Sequence, residues 1–585
     1  MPTGTPRSLN HRLIAALVAA LPLWGAVRQA RAQDPVVAPD SGSISCEGLR
    51  VDSIEVDAER PPFKGQAAIW RRMAHGVGLH HKTTNSALVR RFVTLSVGES
   101  CTEFRRSESE RILRAQPYLS DAQVRAVPDN RGGVRIVIRT VDEVPVLATG
   151  RIGGGTIQAL TVGNENVLGR GVHLELRGAQ GGTRRFGAGG RLLYTQMFGH
   201  PYTLDVDAQR DPLGGFARTE LAHPFLTNLQ RIAWHTGFVD RLDYEELRDG
   251  LVERHALPVR RTRWDAGGVL RVGGRERLWL VGGFVSGERT APGSRLYTYG
   301  DNGALVLDSD SLSAMYPTFA TTRVGTALGL RALTYHTVTG FDALSAEQDI
   351  ATGLQVGLLA GASPRAVAMD LRDLWTSTDV YVGLGSRWSF IAMRAQGEIR
   401  QGRDPQHWEH LIAGGRAAWY LRPTERWLSL LSVDGAGAFR ERVPIQLELG
   451  EWNGGVRGYR ASREVGGRRL VARAEQRVTI GVARNRALVA VAAFADAGRL
   501  WAGDAPFGTD TPIRTSVGLG MLVAVPPHSK RVARVDFALP MTRSEGAKLE
   551  IRFSLEDRTR TFWSQPDRLS RVRTGAVPAG IFSWP

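Results

Sequence analysis

The chain has 585 residues, 67 of them glycine and only two cysteine, and its 75 Lys and Arg against 58 Asp and Glu leave a net charge of +17. Abundant glycine with short runs of β-branched and aromatic residues excludes a mainly helical protein. Beyond residue 32 no run of about eighteen apolar residues occurs, which excludes helical membrane spans, while the positive balance suits an anionic surface or an acidic polypeptide.

Arg7, His11 and Arg12 precede an apolar run over 13–27 and then Ala30-Arg31-Ala32. That order predicts a secretory signal peptide over 1–32, because the run is too short for a comfortable membrane anchor. An exported chain does not meet nucleic acid, so the usual partner of a basic protein is set aside. Residues 33–45, rich in Pro, Asp, Ser and Gly, predict a flexible lead.

Residues 46–145 predict a small α/β domain. Val51, Ile54 and Val56 mark an extended run; Leu88, Phe92 and Leu95 follow at helical spacing behind the cap candidates Thr84 and Asn85. A second helix is expected over 107–115, ended by Pro117. Residues 122–127 and 134–140 then predict a hairpin across Asp129-Asn130-Arg131-Gly132-Gly133. Cys46 and Cys101 both fall here; an oxidising compartment permits a disulfide, and two unlinked buried thiols is the alternative. The order β-α-α-β-β, with Ser109-Glu110-Arg111-Ile112-Leu113-Arg114 and Pro117-Tyr118-Leu119-Ser120-Asp121-Ala122, resembles a POTRA domain. The resemblance implies a polypeptide-binding module, and residues 134–140 are expected to offer the edge strand that clients pair with.

Residues 146–563 alternate apolar and polar side chains in runs separated by Gly, Asp, Asn and Pro. Val172, Leu174 and Leu176 alternate with His173, Glu175 and Arg177, and Leu549, Ile551, Phe553 and Leu555 with Glu550, Arg552 and Ser554. A soluble sandwich shows the same alternation. The length of the region and the leader before it favour a transmembrane β-barrel, whose lumen accepts the charges and whose closure leaves no strand edge in lipid. The candidate runs number about sixteen to nineteen; an even count is the rule, so some runs within about 290–379 are expected to be long extracellular hairpins. A tail over 564–585 carries Phe582 and Trp584.

Three strings are sharper than the periodicity. Val456-Arg457-Gly458-Tyr459 follows Asn453-Gly454-Gly455 in a glycine-rich loop; Glu475 lies on a strand with Arg473 and Arg477; Phe494, Asp496 and Gly498 share a face of the next strand. Parity turns Glu475 and Asp496 inward, where a guanidinium from the loop can bridge them. A solvated Arg457 and an ordinary lumen charge at Asp496 is the alternative reading.

These strings resemble the hallmark of the BamA/TamA superfamily. The resemblance implies a sixteen-stranded antiparallel transmembrane barrel preceded by one POTRA domain, mainly β overall. It also implies a long loop folded into the lumen. Arg457 would be the loop-tip cation, Asp496 its main carboxylate and Glu475 the second; Gly458 would permit the tight tip, Tyr459 wedge it, and Phe494 and Gly498 complete the strand motif. Residues 163–171, Pro224-Phe225 and Arg534-Val535-Asp536-Phe537-Ala538-Leu539-Pro540 resemble other parts of such barrels. Gly546, Leu549, Ile551 and Phe553 resemble the terminal signal read by assembly machinery. Having one POTRA departs from BamA-like proteins with several.

The function implied is insertion, assembly or translocation of polypeptides at the outer membrane by strand addition at the barrel seam, with the N-terminal domain in the periplasm. Implied partners are outer-membrane lipid and lipopolysaccharide, unfolded or secreted polypeptides, and periplasmic accessory proteins. The alternative is a passive channel, receptor or surface antigen. No enzyme motif is present; His80-His81 is adjacent rather than at metal-ligand spacing, so no cofactor, metal or catalytic residue is expected.

Overall fold

The computed structural model describes residues 42–60, 82–153, 156–180, 186–211, 213–248, 254–274, 277–299, 305–307, 315–364, 374–401, 408–451, 454–460, 462–483, 486–542 and 548–557. The expected signal peptide, most of the lead, His80-His81, Gly546 and the C-terminal tail lie outside them.

The N-terminal domain runs β1 (Val51–Glu59), α1 (Ser86–Arg91), α2 (Glu103–Arg114), β2 (Leu119–Pro128) and β3 (Val134–Asp142). Asn85 caps α1, its side chain accepting from Ala87 N. Helix α2 starts four residues before its expected position because Thr102 caps it, accepting from Arg105 N. Leu88, Phe92, Ile112, Leu113, Val124, Ile136 and Ile138 form the core. Cys46 and Cys101 are bonded, closing a loop of sequence separation 55. Changing both cysteines to serine is expected to cost this domain about 2–4 kcal/mol, read as faster amide exchange in β1–β3 of the full chain.

The sheet order is β1-β3-β2, with β3 parallel to β1 and antiparallel to β2. Residues 134–140 are therefore the central strand, not an edge as expected. Local periodicity reveals a hairpin but not which of its arms the distant β1 joins. The edges are β1 and β2, and β2 is partly covered. Ile44 N donates to Ala126 O (2.9 Å), Arg106 to Val124 O (2.5 Å), and Val124 N to Glu110 (3.0 Å).

Beyond β3 the chain winds into one closed antiparallel barrel, from Val146–Gly153 to Glu550–Asp557, and these two strands are neighbours at the closure. Among the described residues the barrel sheet holds 22 strand segments rather than sixteen. Two of them, Tyr297–Tyr299 and Leu305–Leu307, are a small hairpin extending from the strand Arg254–Val272. The other twenty follow one another round the wall. The small hairpin falls where hairpins were expected, but Phe319–Thr339, Glu347–Ala362 and Leu374–Gly385, in or running out of the same stretch, are wall strands and make up part of the excess. Wall and hairpin strands share one alternation, so periodicity does not separate them.

Exposure is inverted relative to a water-soluble protein. Leu176, Leu270, Trp279, Leu519, Ile551 and Phe553 are exposed outside, while Arg323 and Arg400 are fully buried inside, both 3.0 Å from Glu288. This suits a strand barrel surrounded by hydrocarbon.

The domain docks on the turns at one end of the barrel. Arg114 of α2 donates to Asp349 and Thr337 (both 2.8 Å), and Arg111 to Leu226 O (2.7 Å). Lys530 Nζ enters the domain, donating to Leu119 O (2.7 Å) and Arg114 O. Glu143 accepts from Ser529 Oγ (2.9 Å) and Lys530 N (3.0 Å); burial pushes its carboxyl above the usual range despite Arg531 nearby.

Candidate functional site: a loop clamped inside the barrel

The loop over 440–467 joins the strands Trp427–Phe439 and Arg468–Ala483. It carries more apolar side chains than a solvated loop needs, and they bury inside the barrel. Val443, Ile445, Leu447, Leu449, Val456 and Tyr459 pack with Val471 and Leu500 of the adjoining wall and with Leu257 and Leu296. A short ladder, Leu447 with Gly466 and Glu448 with Val465, holds the stem. Val456 N donates to Leu449 O (2.7 Å), turning the tip back on itself.

At the tip Gly458 has φ +90°, a conformation that favours glycine. Arg457 is 8% exposed and grips Asp496 with both arms of its fork, Nε to Oδ2 and Nη2 to Oδ1, each 2.7 Å; its backbone N adds a contact of 3.2 Å. The guanidinium carbon stands 3.4 Å from the Phe494 ring centroid. Phe494, Asp496 and Gly498 all face inward from the strand Ala487–Trp501. A Cβ at Gly498 would lie 2.5 Å from Val456 Cγ2 and 3.2 Å from Leu449 Cδ1. Gly498→Val is expected to push the loop off the wall at a cost of about 1–3 kcal/mol, measured as faster proteolysis near Arg457 and Arg460.

The second carboxylate is shared differently from the sequence expectation. Arg457 Nη1 is 3.3 Å from Asp536 and 3.7 Å from Glu475. Glu475 chiefly serves Arg534, which donates to both its oxygens (3.0 and 2.7 Å) and holds Asp536 through Nε (2.8 Å). Arg477 completes a cluster of three guanidinium groups against three carboxylates, 3.1 Å from Glu475. Arg534 and Asp536 lie in the string Arg534-Val535-Asp536-Phe537; their inward parity, matching that of Asp496, was the available signal.

The tip also reaches the closing strand. Gly458 N donates to Glu550 Oε2 (2.6 Å), and Arg552 holds Glu550 (2.6 Å). The Tyr459 hydroxyl, fully buried, lies 2.8 Å from Thr542 O and 3.0 Å from Thr515 O. Leu549, Ile551 and Phe553 are exposed on the outer face.

No family model matches the chain, and no curated protein sequence matches it. Solved structures similar to it include BamA from Haemophilus ducreyi lacking POTRA domains 1–3, at 10% identity over 86% of this chain and 84% of that one, with a TM-score of 0.38. CdiB from Escherichia coli matches at 11% identity over 87% and 76%, with a TM-score of 0.43. CdiB from Acinetobacter baumannii matches at 9% over 87% and 73%, with a TM-score of 0.38.

A second element fills the barrel from the domain end. The turn over 340–346 points inward: Phe341 stacks on Tyr420 (5.1 Å between centroids), and Tyr420 OH donates to Asp342 (2.8 Å). Leu344 packs with Leu488, Leu522 and Val532, and Ser345 Oγ donates to Pro527 O (2.6 Å). Arg477 donates to Phe341 O (2.8 Å), tying this turn to the cluster that holds the loop tip. It was not singled out from the sequence, although Phe341, Ala343 and Leu344 are too apolar for a solvated turn.

Proposed function

We propose that the chain is a BamA/TamA-superfamily protein of the outer membrane, with a periplasmic POTRA domain, that inserts, assembles or translocates polypeptides without covalent chemistry. The observation that carries this reading is the buried clamp of Arg457 on Asp496, with the same tip bonded to Glu550 of the closing strand. Burying ions is costly, and a passive pore gains nothing by filling its lumen with a loop held so firmly. In this reading the clamp sets the shape of the wall up to its closure.

The closure suits parting. Among the described residues its two strands have eight residues each, whereas Phe319–Thr339 has 21. A ladder between strands this short holds fewer hydrogen bonds than one between the long wall strands, so the two separate at lower cost. An incoming chain then adds its own strand to the freed edge. The POTRA domain receives extended clients on an edge strand, β1 or β2, and passes them on. Lipid, lipopolysaccharide and periplasmic accessory proteins are its further partners.

The test is photo-crosslinking from residues 146–153 in cells, with a survey of the outer-membrane proteome after depletion. Client adducts and loss of specific outer-membrane or secreted proteins are expected. No adduct, an unchanged proteome, and sugar or ion flux through the purified barrel would establish the passive-channel reading instead.

A further inference from the structure

Three neighbouring strands, Trp427–Phe439, Arg468–Ala483 and Ala487–Trp501, place arginines on the outer face at the barrel end away from the domain. The register pairs Gly437 with Arg468 and Arg468 with Trp501, and puts Arg499 one outward position below Trp501. Arg440 directly follows the exposed Phe439, its guanidinium 5.3 Å from that ring, and Arg499 lies 5.3 Å from the Trp501 ring. Level with Arg499 and below it the face turns apolar, with Leu470, Val433 and Val491 exposed. The nearby carboxylates are engaged with backbone: Asp504 accepts from Arg440 N (2.8 Å) and Asp510 from Ala502 N (2.7 Å). Among the described residues none of the three guanidinium groups has an ion-pair partner. By contrast the exposed Arg260 is matched by Asp240 at 2.8 Å.

We propose that Arg440, Arg468 and Arg499 form a binding site for the phosphates of a phosphorylated glycolipid of the outer leaflet. This rests on the reading that the barrel lies in an outer membrane with its domain in the periplasm. An arginine facing lipid is costly at mid-membrane and nearly free at the interface, so three within a few rows of the line Gly437, Arg468 and Trp501, Arg499 two residues below it and Arg440 three beyond it, mark the headgroup zone. Aromatic rings favour that same boundary. Guanidinium forks match phosphate oxygens in pairs, and Arg468 and Arg499, on adjacent strands about 4.8 Å apart and offset by two residues along them, are placed to take neighbouring phosphate oxygens. The acyl chains run down over Leu470, Val433 and Val491, a contact that free phosphate cannot make.

The test uses the full chain extracted from membranes in mild detergent, with bound lipopolysaccharide counted by native mass spectrometry. The triple variant Arg440→Gln, Arg468→Gln, Arg499→Gln is expected to retain several-fold less than wild type, and Arg260→Gln as much as wild type. Enzymatic removal of the lipid phosphates is expected to reproduce the loss. Equal retention by the triple variant in a chain that fractionates with the outer membrane overturns this site alone. Displacement of the glycolipid by an equal concentration of inorganic phosphate overturns the choice of lipid. Fractionation elsewhere overturns the location on which both readings rest.

Discussion

Arg457→Ala is expected to destabilise the barrel by about 3–5 kcal/mol, because it leaves Asp496, 2% exposed, as an uncompensated charge in the interior. The temperature at which the folded form converts to the unfolded one on a denaturing gel would fall, and with it the client insertion proposed above. Asp496→Ala is expected to do the same, stranding the guanidinium over Phe494. The double variant should lose clearly less than the two single losses combined, since no orphaned ion remains. Independent losses that simply add would show that the contact is incidental to the loop's position. Asp536→Ala should cost less than Asp496→Ala, since its contact to Arg457 is single and 3.3 Å long.

Replacing residues 341–345 by a short Gly-Ser linker, together with deletion of 445–462, is expected to turn a chain that conducts almost nothing into a large pore. Barrels of 16–18 strands leave an aqueous channel unless something occupies it, and the twenty-strand wall here is at least as wide. Each change alone should raise the conductance of planar bilayers modestly, because the other obstruction persists. The two together should raise it many-fold. Wild-type conductance equal to that of the double deletion would refute the obstruction. The comparison also tests whether Arg477, bonded to both Phe341 O and Glu475, makes the two elements move together. Arg477→Met should then make loop movement independent of the turn.

The parts of this molecule written in short-range pattern were legible in the sequence. Alternation along Arg468–Ala483 and Ala487–Trp501 put Glu475 and Asp496 on inward faces, and the glycines around Arg457 marked a loop able to approach them closely. What escaped was set by distance along the chain. Glu550 stands 92 residues from Gly458, and nothing local says that a carboxylate on the closing strand receives the loop-tip amide. The placement of β3 between β1 and β2 is likewise a fact of tertiary pairing. The inward turn at 340–346 was hidden by its length: seven residues between two strands look like any connection until one asks why Phe341 and Leu344 are there. Strand number failed for a related reason, since a run of eight residues obeys one alternation whether it joins the wall or a side hairpin.

On the proposed function, the covered edge of β2 turns client reception into an exchange. A guest strand settling against Val124 and Ala126 must evict Ile44, Arg106 and Glu110, so its net affinity is only the difference between two similar sets of hydrogen bonds. The covalent link from Cys46 to Cys101 keeps the evicted segment close by, where it competes at high effective concentration. On that reading guests are held weakly and returned quickly, and the domain hands its cargo on rather than storing it.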